Sequence, residues 1–155
     1  MKIQYIKGDL FSTDIDIIVH GCNDQGVMGS GVAKVVIDRF THAYDVYRQT
    51  YLQNNKLTLG EIIPVRAHDG NISGRFKTIV NAITQRGYGR SGDKFVSYDA
   101  VDDCMIAVNA WCKNNKQAQV AMPQIGAGLG GGNWDVIQSI IQHRLSEVQP
   151  VVYVL

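Results

Sequence analysis

The 155-residue chain has no run of like charge and no basic stripe: 15 lysines and arginines and 14 aspartates and glutamates are scattered along it, for a net charge of +1. Duplex nucleic acid is therefore a poor partner, because a polyphosphate surface is held by clustered cations. The chain also lacks any apolar run near the roughly 20 residues that a membrane helix needs, and its start, MKIQYIKGDLF, lacks the apolar core of a signal peptide. A soluble protein with no membrane partner is expected. Cysteine is scarce: Cys22, Cys104 and Cys112 are odd in number and widely spaced, which makes neither a disulfide framework nor a paired-thiolate zinc motif. A cytoplasmic, reducing compartment is expected, with neither metal nor cofactor. No G-x-x-x-x-G-K-[ST] segment occurs, which excludes that type of nucleoside-triphosphatase loop.

What is present fits one globular domain over residues 1–155, with 45% apolar and 19% charged residues. Residues 2–6 and the β-branched IDIIV (15–19) read as strands, as do EIIPVRA (61–67), KTIVNAI (77–83), QVAMPQI (119–125) and the closing PVVYVL (150–155). Helices are predicted from Gly31 through VAKVVIDRF, then over HAYDVYRQTYL with Thr41 as its cap. Two more follow, over residues 97–113 and from Trp134 onward, both with apolar residues at helical spacing. Strands alternating with helices, several of the strands almost wholly apolar, predict a three-layer α/β/α fold around a mixed, mostly parallel sheet.

In such a fold, ligands bind beyond the carboxyl ends of the strands. Two glycine-rich segments fall where strand passes into helix: GVMGSG (26–31) and GAGLGGG (126–132). A helix N-terminus has unpaired amides and a partial positive charge, so two of them on one rim suit a diphosphate without cationic side chains. The plainer reading is that the glycines serve turn geometry. GAGLGG matches G-x-G-x-x-G literally, but no acidic residue follows about 20 residues later to hold a dinucleotide's ribose, and the oxidoreductase reading fails there.

Beside the first loop, the strand IDIIV runs into His20, Gly21, Cys22, Asn23 and Asp24, delivering a histidine, a thiol, an amide and a carboxylate to the rim. His20 reads either as a general acid or base or as a strand-end histidine with a satisfied hydrogen bond. Cys22 reads as a small buried residue, and Trp134 as a core anchor in preference to a base-stacking surface. His42, His68 and His143 share no ligand spacing and read as surface residues.

The order KGDLF, IIVHGCNDQGVMGSGVA, MPQIGAGLGGGNW and VVYVL resembles the macrodomain, an ADP-ribose-binding α/β/α module, over nearly the whole chain. The H-x-C-N before the first loop and the M-P-x-I before the second are similar to a stand-alone branch. That branch includes ADP-ribose 1''-phosphate phosphatases and a hydrolase of ADP-ribose on protein glutamate. The resemblance implies that Asp9 and the Leu10 amide hold adenine, and that Asn23 faces the distal ribose. It further implies that Gly26, Val27, Met28, Gly29, Ser30 and Gly31 wrap that ribose and the nearer phosphate. Ile125, Gly126, Ala127, Gly128 and Leu129 would cradle the diphosphate, and Tyr153 and Leu155 would border the adenine pocket. The glutamate-directed hydrolase carries a lysine and an aspartate where this chain has Gln85 and Gly130, so its covalent route is not expected.

The expected function is thus metal-independent hydrolysis of ADP-ribose 1''-phosphate to ADP-ribose and phosphate, with loop amides stabilising the transferred phosphoryl group. In it His20 acts as the acid or the water-orienting group, and Asn23 fixes the sugar. The alternatives are a reader that binds ADP-ribose, free or on protein, without chemistry, and a hydrolase of another ADP-ribosyl linkage on protein, nucleic acid or an acetyl ester. The protein is expected to be a monomer.

Overall fold

The computed structural model describes residues 1–29, 31–87, 95–128 and 130–155. Six strands form one sheet in the order β1, β6, β5, β2, β4, β3: β1 Gln4–Lys7, β2 Ile17–Asn23, β3 Ile62–His68, β4 Phe76–Gln85, β5 Gln119–Met122 and β6 Gln149–Val154. All neighbours are parallel except β3, which pairs antiparallel with β4 at the edge. Pro64 lies in that edge strand, where its missing N–H disrupts no central ladder.

Alternation along each strand feeds two cores. Ile17 and Val19 of β2 face α3 (Tyr98–Asn114) and α4 (Trp134–Arg144), packing with Val101, Met105, Val108, Ile137 and Ile141. Ile18 and Cys22 face α1 (Gly31–Arg39) and α2 (Thr41–Asn54), packing with Val36, Ala43 and Tyr47. Three layers follow from this period of two. Ser97 caps α3 by accepting from the Ala100 amide, and Asn133 caps α4 by accepting from the Asp135 amide. Trp134 packs against the first core and donates its indole N–H to the Tyr5 hydroxyl, as an anchor would.

Three details depart from the sequence reading, the first being that β5 stops at Met122 and leaves Pro123, Gln124 and Ile125 outside the strand. Thr41 does not cap α2; it is the helix's first residue, and its hydroxyl donates to the Ile37 carbonyl while Phe40 occupies the cap without a side-chain bond. β2 also runs on through Asn23, in parallel register with β4 (His20 opposite Asn81, Cys22 opposite Ile83). The polar residues HGCN are therefore sheet, not turn. Among the described residues, no helix is long and apolar enough to cross a membrane.

Candidate functional site

Because β1, β6, β5, β2 and β4 are parallel, their carboxyl ends share one rim, and the chain leaves β2 and β5 there through the two glycine loops. Between these loops lies a cavity of about 580 Å³. From the first loop it is lined by Asn23, Val27, Met28, Gly29 and Gly31, and from the second by Ile125, Gly126 and Gly128. The structure brings these expected contacts together. It adds Gln85, Pro123 and Gln124, together with Val32 and Ala33 at the start of α1. Ser30 and Leu129, expected contacts too, lie outside the described residues.

The glycines divide by what surrounds them. A Cβ on Gly29, Gly31 or Gly128 would meet nothing within 4 Å, so these positions leave space for a ligand. Gly26 and Gly126 serve the fold. Gly26 (φ +73°) has the Tyr51 ring 2.6 Å from where a Cβ would sit, and Gly126 (φ +77°) has the Val96 side chain at 2.7 Å. Gly26 is buried and, like Ala127, does not line the cavity; the Ala127 amide closes a turn onto the Gln124 carbonyl.

The notion of two helix N-termini on the rim needs correcting. Among the described residues, only α1 presents its first residues to the cavity; α4 is capped by its own Asn133, carries Asp135 in its first turn, and contributes no lining residue. The second loop holds that helix start away from the cavity, so what it presents there is loop residues.

His20 is the larger correction. It stands inside β2, not on the rim, with 1% of its surface exposed although it borders the cavity floor. Its Nε2 lies 2.7 Å from Asn81 Oδ1, and the Asn81 amide nitrogen donates to the Ala43 and Ile63 carbonyls. That network makes Oδ1 the acceptor, so Nε2 carries the ring proton and donates it to Asn81. Burial, only partly offset by the Asn81 bond, lowers its pKa to about 4, so at neutral pH the ring is uncharged. A neutral imidazole whose only N–H is engaged elsewhere is not poised as a general acid. The Cys22 sulfur packs 3.5 Å from the same nitrogen, and burial pushes its thiol well up, leaving it protonated and inert.

Asn23, at a bulge in the β2–β4 pairing opposite Gln85, is 6% exposed and borders the cavity. The departures at Gln85 and Gly130 are neighbours in space: a Cβ on Gly130 would lie 3.2 Å from Gln85 Oε1 and 2.8 Å from the Gly126 carbonyl oxygen. The backbone therefore leaves no room at Gly130 for the carboxylate found in the glutamate-directed hydrolase.

Beyond the cavity, Asp9 follows β1 at the same rim, and its two carboxylate oxygens accept from the Phe11 amide and the Ser12 hydroxyl. Leu10 is buried beneath it. Neither lines the cavity. Leu155, expected to border an adenine pocket, is fully exposed past the end of β6, and the Tyr153 hydroxyl donates to Thr13 Oγ1.

The Macro domain family model matches residues 19–141, which span both glycine loops. The chain belongs to the macro domain family. An ADP-ribose 1''-phosphate phosphatase of Candida albicans is 27% identical over 90% of this macrodomain and 92% of its own length. A DNA ADP-ribosyl glycohydrolase of Mycobacterium bovis is 30% identical, with 97% of this chain matching 42% of that longer protein. Among solved structures, the macrodomain of Mycobacterium tuberculosis DarG superposes with a TM-score of 0.78 at 26% identity, covering 97% of this chain and 96% of that one. This agreement extends to the α/β architecture of the whole macrodomain.

Proposed function

We propose that the protein binds ADP-ribose along the rim of the sheet and hydrolyses ADP-ribose 1''-phosphate to ADP-ribose and phosphate. The observation that carries this reading is the cavity wall itself: two loops rich in glycine, with the buried His20 and Cys22 as the ionisable side chains among the described lining residues. Such a wall recognises phosphates through backbone amides and the positive end of α1. The strand order adds direction. Running from β1 through β6 and β5 to β2, the rim offers Asp9, then the second loop, then Asn23. That sequence suits adenine, diphosphate and distal ribose laid end to end.

In the reaction, water attacks the phosphorus, the bond from phosphorus to the sugar oxygen breaks, and the sugar leaves with a hydroxyl at its anomeric carbon. Amides fixed around the equatorial oxygens stabilise the charge that spreads over them. Among the described lining residues the ionisable side chains are the buried His20 and Cys22, neither of which is poised as an acid, so one proton of the water stays on the released phosphate and the other passes by way of the phosphoryl oxygens to the leaving sugar oxygen. The rate is then set by positioning, and Asn23 holds the sugar. The name of the Candida albicans relative supports this substrate, and that of the Mycobacterium bovis relative keeps an ADP-ribosylated macromolecule as the alternative.

A second reading, binding without chemistry, is favoured by the engaged N–H of His20. Phosphate release at stoichiometric enzyme separates the two. Hydrolysis predicts release by the wild type, equal release by His20→Gln, and loss with Asn23→Ala; silence alongside intact ADP-ribose binding would establish a reader.

A further inference from the structure

We infer that Tyr47, buried in α2 behind the cavity, is a positioning residue that fixes Asn23 as a hydrogen-bond donor toward the ligand. It thereby sets a preference for ligands that carry a sugar beyond the diphosphate. The inference rests on the proposed binding of ADP-ribose with its distal ribose at Asn23.

The orientation of the Asn23 amide is dictated by its surroundings. One end faces three donors: the Gln25 amide at 2.9 Å, the Val27 amide at 3.5 Å and the Tyr47 hydroxyl at 3.1 Å. Only oxygen can sit there, since a nitrogen would set its own protons against theirs. The nitrogen then donates one proton to the Val27 carbonyl at 2.6 Å and has a second to offer. The second amide proton is therefore the group this cavity-lining side chain has left to offer, which suits a sugar oxygen acting as acceptor.

Tyr47 makes this arrangement rigid. Its hydroxyl also lies 2.7 Å from the Asn23 backbone carbonyl, so one phenol proton is shared between both oxygens of the same residue. The side chain is fully buried, and burial raises its pKa, which keeps it a neutral donor at any working pH. The same stretch of α2 grips the loop twice more. Arg48 Nη1 donates to the Gly26 carbonyl at 3.1 Å, and the Tyr51 ring fills the space beside Gly26. Together these contacts fix the chain from Asn23 to Val27 before any ligand arrives, which lowers the ordering cost on binding.

A purely structural Tyr47 would affect all ligands alike, whereas a positioning Tyr47 acts on the distal sugar alone. Calorimetric titrations of wild type and Tyr47→Phe with ADP-ribose and with ADP, which lacks that sugar, distinguish them. The expected result is ADP-ribose affinity weakened about 3- to 10-fold in the variant, the range of one hydrogen bond, with ADP affinity unchanged. Arg48→Met, which releases the Gly26 carbonyl while leaving the core intact, is expected to show the same selectivity, and it serves if Tyr47→Phe does not fold. Equal weakening of both ligands, or no change in either, overturns the positioning role and leaves the proposed binding standing. Failure of the wild type to bind ADP-ribose overturns both.

Discussion

Acid should destabilise this protein through His20 well before its buried carboxylate titrates. The ring is uncharged in the fold with a pKa of about 4, against 6.5 in an unfolded chain. Stability from this group is therefore complete above pH 6.5. Below that value the unfolded state takes up the proton first, and stability falls until the folded pKa near 4 is reached. Between pH 7.5 and pH 5, linkage gives a loss of about 2 kcal/mol, or roughly 4–8 °C in melting temperature for a chain of this size. Asp69 does not interfere. Burial opposes its ionisation, yet bonds from Arg39, the Asn71 amide and Arg75 hold its carboxyl down to about 2, so its contribution persists until the pH falls below the ordinary carboxylate value of 3.8. Thermal melts at both pH values, on wild type and on His20→Gln, test this. The variant keeps an N–H for Asn81 but cannot titrate, so its melting temperature should be nearly flat across the interval whatever its starting stability. A wild type insensitive to the interval, or a variant declining as steeply, would refute the buried neutral histidine.

Other outcomes follow from the loops. Gly126→Ala, at a positive φ with Val96 2.7 Å from the new Cβ, should cost about 2–3 kcal/mol in denaturant titration, whereas Gly128→Ala, with open space around it, should change stability by less than ~0.5 kcal/mol and weaken ADP-ribose binding instead. Installing the hydrolase pair as Gln85→Lys with Gly130→Asp should destabilise the protein by about 1–3 kcal/mol, because the new Cβ meets the Gly126 carbonyl at 2.8 Å, and should confer no release of ADP-ribose from protein glutamate. The Thr84 hydroxyl is buried without a hydrogen-bond partner among the described residues, so Thr84→Val should raise stability, by about 1 kcal/mol, in the same denaturant assay.

Much of this was legible in the sequence, for reasons that can be named. Helical spacing in Val101, Cys104, Met105 and Val108 identified α3 to within a residue at each end, because a wide apolar face packs against the sheet. The two glycine loops pointed to the rim because turn chemistry is local. What was missed depends on partners far along the chain. His20 reads as a strand end at the start of HGCN, but its fate is decided by Asn81, 61 residues away, which pairs with it in register and accepts a hydrogen bond from its ring N–H. Gln85 was noticed only as a missing lysine, and its place on the cavity wall follows from β4 running on beside the bulge at Asn23. The separate duties of Gly126 and Gly128 were likewise invisible, since Val96 and Ile137 approach one and not the other.

The central claim is a direction as much as a ligand: adenine toward Asp9, diphosphate between the two loops, distal ribose at Asn23. A crystal structure of the protein soaked with ADP-ribose measures it directly. The account predicts the adenine beside the turn after β1, phosphate oxygens against the loop backbone around Gly29 and Gly128, and the terminal ribose accepting from the Asn23 amide. Density for the nucleotide in the opposite sense, with adenine against Asn23 and Gln85, or a cavity left empty at saturating ligand, would contradict it.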